Sequence, residues 1–388
     1  MDICVLNPFF YPYSGGTERV LLEVYSRMAR KHNVTVISAN LDGGRKDSVG
    51  YVKGIRVVRL KTRHIAFPGL PMPFPVMLGL REALQRESAQ LYHINNRYLY
   101  FFDTINQIKK TSGKIALTLH DSLPKNIGMM TDSWGYFYDV VWGRKIMQYA
   151  DVITAVSRNT IDTAVPARLR ERSYVIYNGV DAKRYRHRLR SNPDVVKAFG
   201  ELDLDPGSIN IMNNGRLVAQ KGQVYLLRAL AALLRERDAP DANLFIIGRG
   251  YLNDTLAYMA KNLRIEKRLR IVSGIGERMM PYYYNAADIF VSSSLYEPAS
   301  LSVMEALGSE VPVVATRVGG VPEMMGDCGL YMRPRSISGI KERIKEIIKN
   351  TATAKKRSGE GRELMLKEHN WDEIAARYEQ LFGSVLRN

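Results

Sequence analysis

The sequence contains very little cysteine, since only Cys4 and Cys328 occur among its 388 residues. Two cysteines so far apart offer neither a disulfide framework nor a cysteine-based metal cluster. Long apolar runs are missing too, because none approaches the roughly 20 residues that a membrane-spanning helix requires. The N-terminus, which begins Met1-Asp2-Ile3, lacks the basic region of a secretion signal. We therefore expect a cytoplasmic protein that does not cross a membrane.

Acidic residues are scarce relative to basic ones, with 39 against 56 and a net charge of +17. Such an excess favours an anionic partner, which is a nucleotide, a nucleic acid or an anionic lipid surface. The sequence has no basic helix with base-reading polar residues and no aromatic strand typical of RNA-binding domains, so nucleic acid is not expected. A solvated face is the alternative for the densest basic stretch, which comprises Arg168, Arg170, Arg172, Lys183, Arg184, Arg186, Arg188 and Arg190.

Apolar strand-like runs alternate with amphipathic helical patterns along the whole chain. This alternation predicts an α/β protein with parallel sheets covered by helices, and the length suits two domains. We expect domains at residues 1–180 and 181–365, with a helix in 366–388 that crosses back to the first. Ligands should bind in the interdomain cleft, at the carboxyl ends of the strands. The predicted strands are Ile3–Pro8, Val34–Ser38, Ile55–Leu60, Leu91–Asn95, Ile115–His120, Val152–Val156, Tyr174–Asn178, Ile209–Asn213, Asn243–Gly248, Arg270–Ser273, Asp288–Ser293 and Val311–Thr316.

Two glutamates, Glu297 and Glu305, bracket the start of a predicted helix that begins near Ser300 and stops near Gly308. The sequence from Ser302 to Glu305 fits a capping box. A helix N-terminus is a phosphate site, and a carboxylate beside it can accept hydrogen bonds from a vicinal diol. The pair therefore indicates a nucleotide or a sugar, although solvated helix glutamates also occur at this spacing.

Other polar residues follow predicted strands at the same expected edge. Gly15-Gly16 ends the loop after the first strand, which is neither a G-x-G-x-x-G motif nor a P-loop. Paired glycines before a helix let backbone N–H groups approach a phosphate, although a plain turn needs them too. Arg216 and Lys221 flank a loop that opens the second domain, where two cations can neutralise a diphosphate. The alternative for Arg216 and Lys221 is that both are ordinary surface cations. His120 ends another strand, and the alternative for it is a structural histidine.

Taken in order, these motifs resemble those of family 4 glycosyltransferases over nearly the whole chain. That family has the GT-B fold of two facing Rossmann-like, doubly wound parallel-sheet domains with an interdomain cleft. The motifs that carry the resemblance are Ser14-Gly15-Gly16, Leu119-His120-Asp121, Tyr177-Asn178-Gly179-Val180-Asp181, Gly215-Arg216-Leu217, Lys221-Gly222, the Glu297–Glu305 pair, Val318-Gly319-Gly320-Val321-Pro322-Glu323 and the Trp371 helix.

The resemblance implies a retaining hexosyltransferase that takes a sugar from a UDP- or GDP-linked donor without a metal or another cofactor. Asp203-Leu204-Asp205 matches the D-x-D that holds a metal in other sugar-transfer enzymes, but it lies in a charged linker and we reject it. The implied roles are donor-phosphate approach for Gly16, diphosphate binding for Arg216 and Lys221, ribose binding for Glu305, sugar hydroxyl contact for Glu297, proximity to the transferred sugar for His120, and donor binding for Gly15, Ser300 and Leu301. The catalytic residues among them are expected to be His120, Glu297, Arg216 and Lys221.

One departure from the family means that the donor preference of other members does not carry over to this chain. Many members have Gly-Leu after the first glutamate, where this chain has Ala299-Ser300-Leu301. The expected acceptor is a glycan or a lipid-linked molecule in cell-surface glycan, glycolipid or polysaccharide synthesis. A nucleotide-sugar epimerase is the alternative on the same fold, and the contexts of Gly15-Gly16 and His120 argue against it.

A basic segment leads into an apolar one near the middle of the first predicted domain. Arg56, Arg59, Lys61, Arg63 and His64 precede an aromatic and proline-rich stretch at residues 67–78. Basic residues beside apolar ones suit an anionic membrane surface, so we expect peripheral association with the cytoplasmic membrane face. The alternative is that the apolar stretch covers the core of the domain.

Overall fold

The computed structural model describes residues 1–13, 15–41, 46–65, 74–97, 101–110, 113–121 and 129–387. The chain divides into two compact units. The N-terminal unit comprises Met1–Asn178 and Trp371–Asn388, and the C-terminal unit comprises Gly179–Asn370. The sequence placed the boundaries at residues 180 and 365, whereas the units change at residues 178 and 370.

The N-terminal unit is an α/β domain around one large sheet. Its strands are β1 (Asp2–Leu6), β2 (Asn33–Ala39), β3 (Ser48–Val52), β4 (Ile55–Leu60), β5 (Thr62–Ile65), β6 (Phe74–Met77), β7 (Leu91–Asn95), β8 (Lys114–Leu119), β9 (Val152–Ala155) and β10 (Ser173–Val175). Its helices are α1 (Gly16–Met28), α2 (Leu80–Arg86), α3 (Phe101–Ile108), α4 (Met129–Tyr138), α5 (Arg144–Tyr149) and α6 (Arg158–Ala164), with a π-helical segment at Asp139–Gly143 and a 3-10 turn at Ala167–Arg172.

Eight of these strands form the sheet in the order β10-β9-β8-β7-β1-β2-β4-β3. All neighbours are parallel except β3, which pairs antiparallel with β4 at the edge. The strand order reverses between β1 and β7, which places a topological switch point there. The C-terminal helix of the chain packs on α1 in this unit, where Arg27 Nε donates to Asp372 at 2.6 Å.

The C-terminal unit repeats the same architecture on a smaller sheet. Its strands are β11 (Ile209–Asn214), β12 (Ala242–Ile247), β13 (Leu269–Val272), β14 (Ile289–Ser292), β15 (Val313–Thr316) and β16 (Leu330–Met332). Its helices are α7 (Pro193–Glu201), α8 (Gln223–Leu234), α9 (Asn253–Asn262), α10 (Met280–Asn285), α11 (Leu301–Gly308), α12 (Val321–Met325), α13 (Ile337–Lys349) and α14 (Thr351–Glu368), with 3-10 turns at Ala219–Lys221 and Glu266–Arg268; α15 (Trp371–Arg387) is the C-terminal helix that joins the N-terminal unit.

The sheet of the C-terminal unit is buried on both faces. Its order is β13-β12-β11-β14-β15-β16, and every neighbouring pair is parallel. Along β14, Phe290 belongs to one apolar cluster, whereas Ile289 and Val291 belong to the other. Successive side chains of a strand point to opposite faces, so helices on both sides are needed to cover these residues. The predicted doubly wound architecture is confirmed.

Candidate active site

The strand order of the C-terminal unit brings two loops together at one sheet edge. β11 lies between β12 and β14, so the direction in which strands are added reverses between β11 and β14. Helices that follow these two strands pack on opposite faces of the sheet and leave a crevice at the carboxyl edge. The loop after β11 carries Arg216 and Lys221, and the loop after β14 carries Glu297.

Backbone contacts hold these two loops against each other. Leu295 N donates to Gln220 O at 2.7 Å, and Ser293 Oγ donates to Lys221 O at 3.0 Å. Gly222 has a left-handed φ of 64°, and a Cβ atom on it would lie 2.2 Å from Ser293 O. Only glycine satisfies both conditions, so the glycine fixes how closely the loops approach.

Lys221 and Glu297 contact each other across this crevice. Lys221 Nζ lies 2.5 Å from Glu297 Oε2, and the two side chains are 17% and 7% exposed. Ser294 Oγ donates to the same Oε2 at 3.0 Å. Within the described part of the chain, no donor reaches Glu297 Oε1. The pair therefore presents a cation and a carboxylate oxygen side by side.

A third loop supports Glu297 from behind. Gly320 N donates to Glu297 O at 3.1 Å. Gly319 has a φ of 55°, and a Cβ atom on it would lie 2.1 Å from Glu297 O. The Gly319-Gly320 pair therefore lets the loop after β15 pack against the backbone of Glu297. The sequence alone does not show this packing role.

The helix that follows Glu297 begins at Leu301, which confirms the predicted start near Ser300. Ser300 is the N-cap of α11, and its Oγ accepts from Val303 N at 3.4 Å. The predicted capping box from Ser302 to Glu305 is therefore wrong. Ser302 already lies inside the helix, where its backbone no longer has the N-cap geometry, and Glu305 turns into the protein. The predicted stop at Gly308 is confirmed.

Glu305 is 2% exposed and is held by a tyrosine. Tyr284 Oη donates to Glu305 Oε2 at 2.7 Å, and Asn214 Nδ2 donates to Tyr284 Oη at 2.9 Å. Burial, together with the nearby Glu305 carboxylate, raises the pKa of Tyr284 well above its usual value. The tyrosine therefore stays protonated and keeps donating. Asn214 ends β11, so this chain of hydrogen bonds ties Glu305 to the same crevice.

Arg216 is the second cation of the loop after β11. Its side chain is exposed, and no hydrogen-bond or ion-pair partner reaches the guanidinium from the described residues. Its backbone is fixed, because the buried Gln223 donates from Nε2 to Arg216 O at 2.9 Å. Arg216 therefore combines a rigid base with a guanidinium that is available to an anion.

In the N-terminal unit, Gly15 is the N-cap of α1 and Gly16 is its first residue. A Cβ atom on Gly15 would lie 2.1 Å from Oε2 of the buried Glu18, which is the movable end of a side chain, so this contact alone does not require a glycine. Gly16 is exposed at the N-terminus of α1, and its approach to a phosphate stays a prediction. Ser14 lies outside the described residues.

His120 follows β8 at the carboxyl edge of the N-terminal sheet. Its ring contacts Asn95 Oδ1 through Nε2 at 3.0 Å, and its backbone N donates to Asn96 Oδ1 at 3.0 Å. Asn95 Nδ2 donates to His93 O at 3.4 Å, which orients the amide so that His120 Nε2 carries the proton. Burial lowers the pKa of His120 to about 4. The imidazole is therefore neutral at pH 7, with Nδ1 as its acceptor.

The structure thus brings Arg216, Lys221, Glu297, Ser300, Leu301 and Glu305 together at one edge of the C-terminal sheet, and it places Gly15, Gly16 and His120 at the carboxyl edge of the N-terminal sheet. Sequence reasoning missed Tyr284, Asn214 and Ser294. Ser294 directly follows the predicted strand Asp288–Ser293, so its position offered a signal, whereas nothing in the sequence marks Tyr284. Over the described ranges, no group of three His, Cys, Asp or Glu side chains is placed to hold a metal ion.

Comparison with known proteins identifies the family. The model of glycosyltransferase family 4 matches residues 14–184, and that of glycosyl transferases group 1 matches residues 197–364. The phosphatidylinositol N-acetylglucosaminyltransferase subunit of Homo sapiens is 23% identical over 99% of this chain and 76% of its own. GDP-mannose-dependent alpha-(1-6)-phosphatidylinositol monomannoside mannosyltransferase of Mycolicibacterium smegmatis is 26% identical over 96% of each chain.

Solved structures show the same fold. Anabaena Alr3699/HepE in complex with UDP-glucose superimposes with a TM-score of 0.78 at 18% identity, over 98% of this chain and 99% of that one. The likeness confirms the expected GT-B fold. The chain belongs to the family 4 glycosyltransferases.

Proposed function

We propose that this glycosyltransferase is a retaining, metal-independent hexosyltransferase that uses a UDP- or GDP-linked sugar. The acceptor is a glycan or a lipid-linked molecule. The contact between Lys221 and Glu297 carries the proposal, because it sets a cation for a diphosphate beside a carboxylate for sugar hydroxyls. Both groups lie at the switch point, where open parallel sheets bind their ligands.

The electrostatics of the crevice suit a departing diphosphate. When the bond between the sugar carbon C1 and the phosphate oxygen breaks, negative charge accumulates on the diphosphate. Arg216 offers a planar fork of donors and Lys221 a point charge, and neither needs a metal to act. Backbone N–H groups after Ser300, at the start of α11, add a fixed positive dipole end. Groups that are already oriented toward developing charge are usually the largest catalytic contribution.

The two glutamates serve as hydrogen-bond acceptors for hydroxyls. Glu305 accepts from the ribose diol, and its position is fixed by Tyr284. Glu297 accepts from hydroxyls of the transferred sugar through Oε1, since Lys221 and Ser294 both reach Oε2. Lys221 and Ser294 occupy Oε2 and the sugar hydroxyls take Oε1, so neither oxygen of Glu297 is left to face the acceptor hydroxyl.

The proton therefore goes to the leaving group. The acceptor hydroxyl forms its bond to C1 on the face from which the diphosphate departs, and its proton passes to the departing phosphate oxygen. The bond from C1 to that oxygen breaks in the same event, so the anomeric configuration is retained. In the N-terminal unit we propose that Gly15 and Gly16 approach the donor phosphates and that the neutral His120 contacts the transferred sugar.

The names of relatives support the substrate classes. Two relatives are named for phosphatidylinositol-based acceptors, one of them for GDP-mannose, and a structural neighbour is seen with UDP-glucose. A lipid-linked acceptor brings the enzyme to a membrane surface, which we propose is the cytoplasmic face. Among the helices of the described residues, none is long and apolar enough to span a bilayer.

The basic segment before residues 67–78 is part of that proposal. Lys61, Arg63 and His64 are exposed, while Arg56 pairs with Glu87 and Arg59 donates to a backbone carbonyl. Residues 66–73 lie outside the described part of the chain. Met77, near the end of the apolar stretch, belongs to the hydrophobic core. This part of the stretch therefore covers the domain interior, which is the alternative to membrane contact.

A donor screen tests the proposal. Thermal stability is measured with UDP, GDP and their hexose conjugates, because a donor that binds the folded protein raises Tm by mass action. Release of nucleoside diphosphate is then followed with and without phosphatidylinositol-containing acceptors. We expect stabilisation by one nucleotide series and acceptor-dependent release. Strictly acceptor-independent turnover would instead support the epimerase, and no stabilisation by any nucleotide would reject both.

A further inference from the structure

A second surface of the N-terminal unit has the chemistry of a lipid-binding helix. α4, the π-helical segment and α5 follow one another without a break from Met129 to Tyr149. The exposed described positions from 129 to 145 are Met129, Ser133, Tyr136, Phe137, Val140, Arg144 and Lys145. Apart from Lys145 they recur every three or four residues, with Tyr136 and Phe137 adjacent, so they form one face of the helix.

This face is strongly apolar and then basic. Met129 is 84% exposed, Tyr136 62%, Phe137 49% and Val140 41%. Such large apolar side chains are costly to leave in water when they are contiguous, and contiguous ones mark an interaction site. Among the exposed positions given above, no side chain is acidic.

Buried contacts fix the rotation that exposes this face. Asp139 is buried and accepts from Arg97 Nη1 and from Arg144 Nε, the latter at 3.2 Å. Tyr138 Oη donates to Arg97 O, and Arg97 itself is buried just after β7. On the same side, Ile146 belongs to the core cluster of the unit. Asp139 therefore points inward and is paired with two arginines, while its apolar neighbours Phe137 and Val140 are exposed.

We propose that this face, Met129 to Lys145, docks on an anionic bilayer surface. Aromatic side chains favour the interface between headgroups and acyl chains, and basic residues beside them attract anionic lipids. The net charge of +17 acts in the same direction. The inference rests on the proposed transfer to a lipid-linked acceptor, since it names the surface that holds the enzyme where such an acceptor lies.

The size of the face favours a bilayer over a protein partner. Four apolar side chains on one helix are few for a stable protein interface, which needs about 800 Å² on each partner. An interfacial helix needs only to insert its apolar face about 5–10 Å into the headgroup region. A second basic group follows the carboxyl end of β4, with Lys61 just before β5 and Arg63 in β5. β4 is parallel to β8 across β2, β1 and β7, so this group lies at the sheet edge where β8 also ends.

Vesicle flotation of the full-length protein tests the proposal. The vesicles are phosphatidylcholine with and without phosphatidylglycerol, at low and at physiological salt. The apolar face is changed by Tyr136→Ser, Phe137→Ser and Val140→Ser together, and its charge by Lys145→Glu. Matched controls in the C-terminal unit are Val196→Ser with Tyr258→Ser, both exposed apolar residues, and Lys261→Glu, an exposed cation on α9.

We expect the wild type and both controls to float with the anionic vesicles. The triple variant should partition at least about tenfold less well, and Lys145→Glu about fivefold less well, with an effect that shrinks as salt rises. Circular dichroism melts confirm that each variant folds. Binding of the triple variant equal to wild type, or no flotation of the wild type, would overturn the proposal.

Two further readouts separate this inference from the proposed function. Nucleoside diphosphate binding is measured by thermal shift on the same samples. Intact nucleotide binding without vesicle binding rejects the surface alone, whereas vesicle binding without any nucleotide binding rejects the proposed function alone. Light scattering tests whether a second copy of the chain occupies this face instead. If the wild type is a dimer, the triple variant is a monomer and flotation is unchanged, the lipid assignment is contradicted.

Discussion

The Lys221 ammonium lies 2.5 Å from Glu297 Oε2, and this contact joins the loops that leave β11 and β14. The two residues are 76 positions apart in the sequence. Their contact places positive and negative groups side by side at the switch point of the C-terminal sheet. Because both are largely buried, the local dielectric is lower than in water and each charge has a strong effect on a ligand.

Replacing Lys221 with methionine should lower kcat/KM on the order of 100-fold or more, because a cation that stabilises the departing diphosphate is lost. The variant should also lose about 1–3 kcal/mol of unfolding free energy, between the values for exposed and buried ion pairs. Lys341→Met is the matched control, since Lys341 on α13 pairs with Glu236, just after α8, in the same unit. Steady-state kinetics and urea unfolding check both effects. Equal activity losses in the two variants would contradict a special role for Lys221.

Gly319→Ala should damage the site without touching a ligand group. The new Cβ atom would lie 2.1 Å from Glu297 O, and the left-handed φ of 55° disfavours alanine as well. We expect turnover to fall at least about tenfold, because displacement of a catalytic group by about 1 Å is costly. The loss of stability should be about 1–3 kcal/mol. Gly276→Ala is the control, since a Cβ atom there has nothing within 4 Å. An unchanged turnover in Gly319→Ala would show that Glu297 need not be held in place.

Tyr284→Phe should weaken donor binding through Glu305. The change removes the hydroxyl that donates to Glu305 and leaves this buried carboxylate with one donor fewer. We expect the donor Kd to rise several-fold and the unfolding free energy to fall by about 1–3 kcal/mol. Tyr283→Phe is the neighbouring control, because its hydroxyl donates to Glu201 instead. Calorimetric titration of the donor distinguishes them, and an equal Kd in both variants would argue against support by Tyr284.

Folding stability should fall as the pH drops from about 6.5 to 4. Burial lowers the pKa of His93 to about 3 and that of His120 to about 4, while an unfolded histidine has a pKa of about 6.5. In this window the unfolded chain binds more protons than the folded one, so acid favours unfolding. Each histidine should cost about 2 kcal/mol between pH 7 and about pH 4.5.

The contribution of one histidine can be isolated by substitution. His93 contacts Tyr25 Oη and, at 2.5 Å, Thr118 Oγ1. His93→Gln keeps polar atoms in this buried position but cannot gain a proton. Urea unfolding at pH 7 and near pH 4.5 should show a smaller pH-dependent loss in this variant than in the wild type. Identical losses would mean that His93 does not titrate as its burial requires.

Much of the fold followed from local patterns. The bounds of β4 and β7 agree with the predicted strands residue for residue, because both are apolar runs in the sheet interior. The strands β3, β5, β6 and β16 were not predicted. β3 contains exposed Val49 and Tyr51 and lies at a sheet edge, and β16 has only three residues, so neither has the buried run that marks an interior strand.

The sequence predicted which residues form the candidate site, but not which of them contact each other. The positions of Lys221 and Glu297 after strands indicated a common edge, whereas their direct contact depends on Gly222 and the neighbouring loop. The capping box failed for a similar reason. Ser300 and Ser302 are alike as local signals, and Glu305, the acidic member of the predicted box, instead accepts from Tyr284, 21 residues earlier. Long-range contacts of this kind leave no local trace.

Comparison of Glu305→Gln with Glu297→Gln tests the central claim most directly. The donor Kd is measured by calorimetry and turnover by single-turnover transfer, with the nucleotide sugar that stabilises the wild type. Glu305→Gln should raise the donor Kd about tenfold, because a neutral amide binds the ribose diol less strongly than a carboxylate, and it should leave turnover within a few-fold. Glu297→Gln should keep the Kd within a few-fold and lower turnover about 100-fold or more. If neither change affects transfer, or if the two effects are exchanged, the proposed roles of these glutamates are wrong.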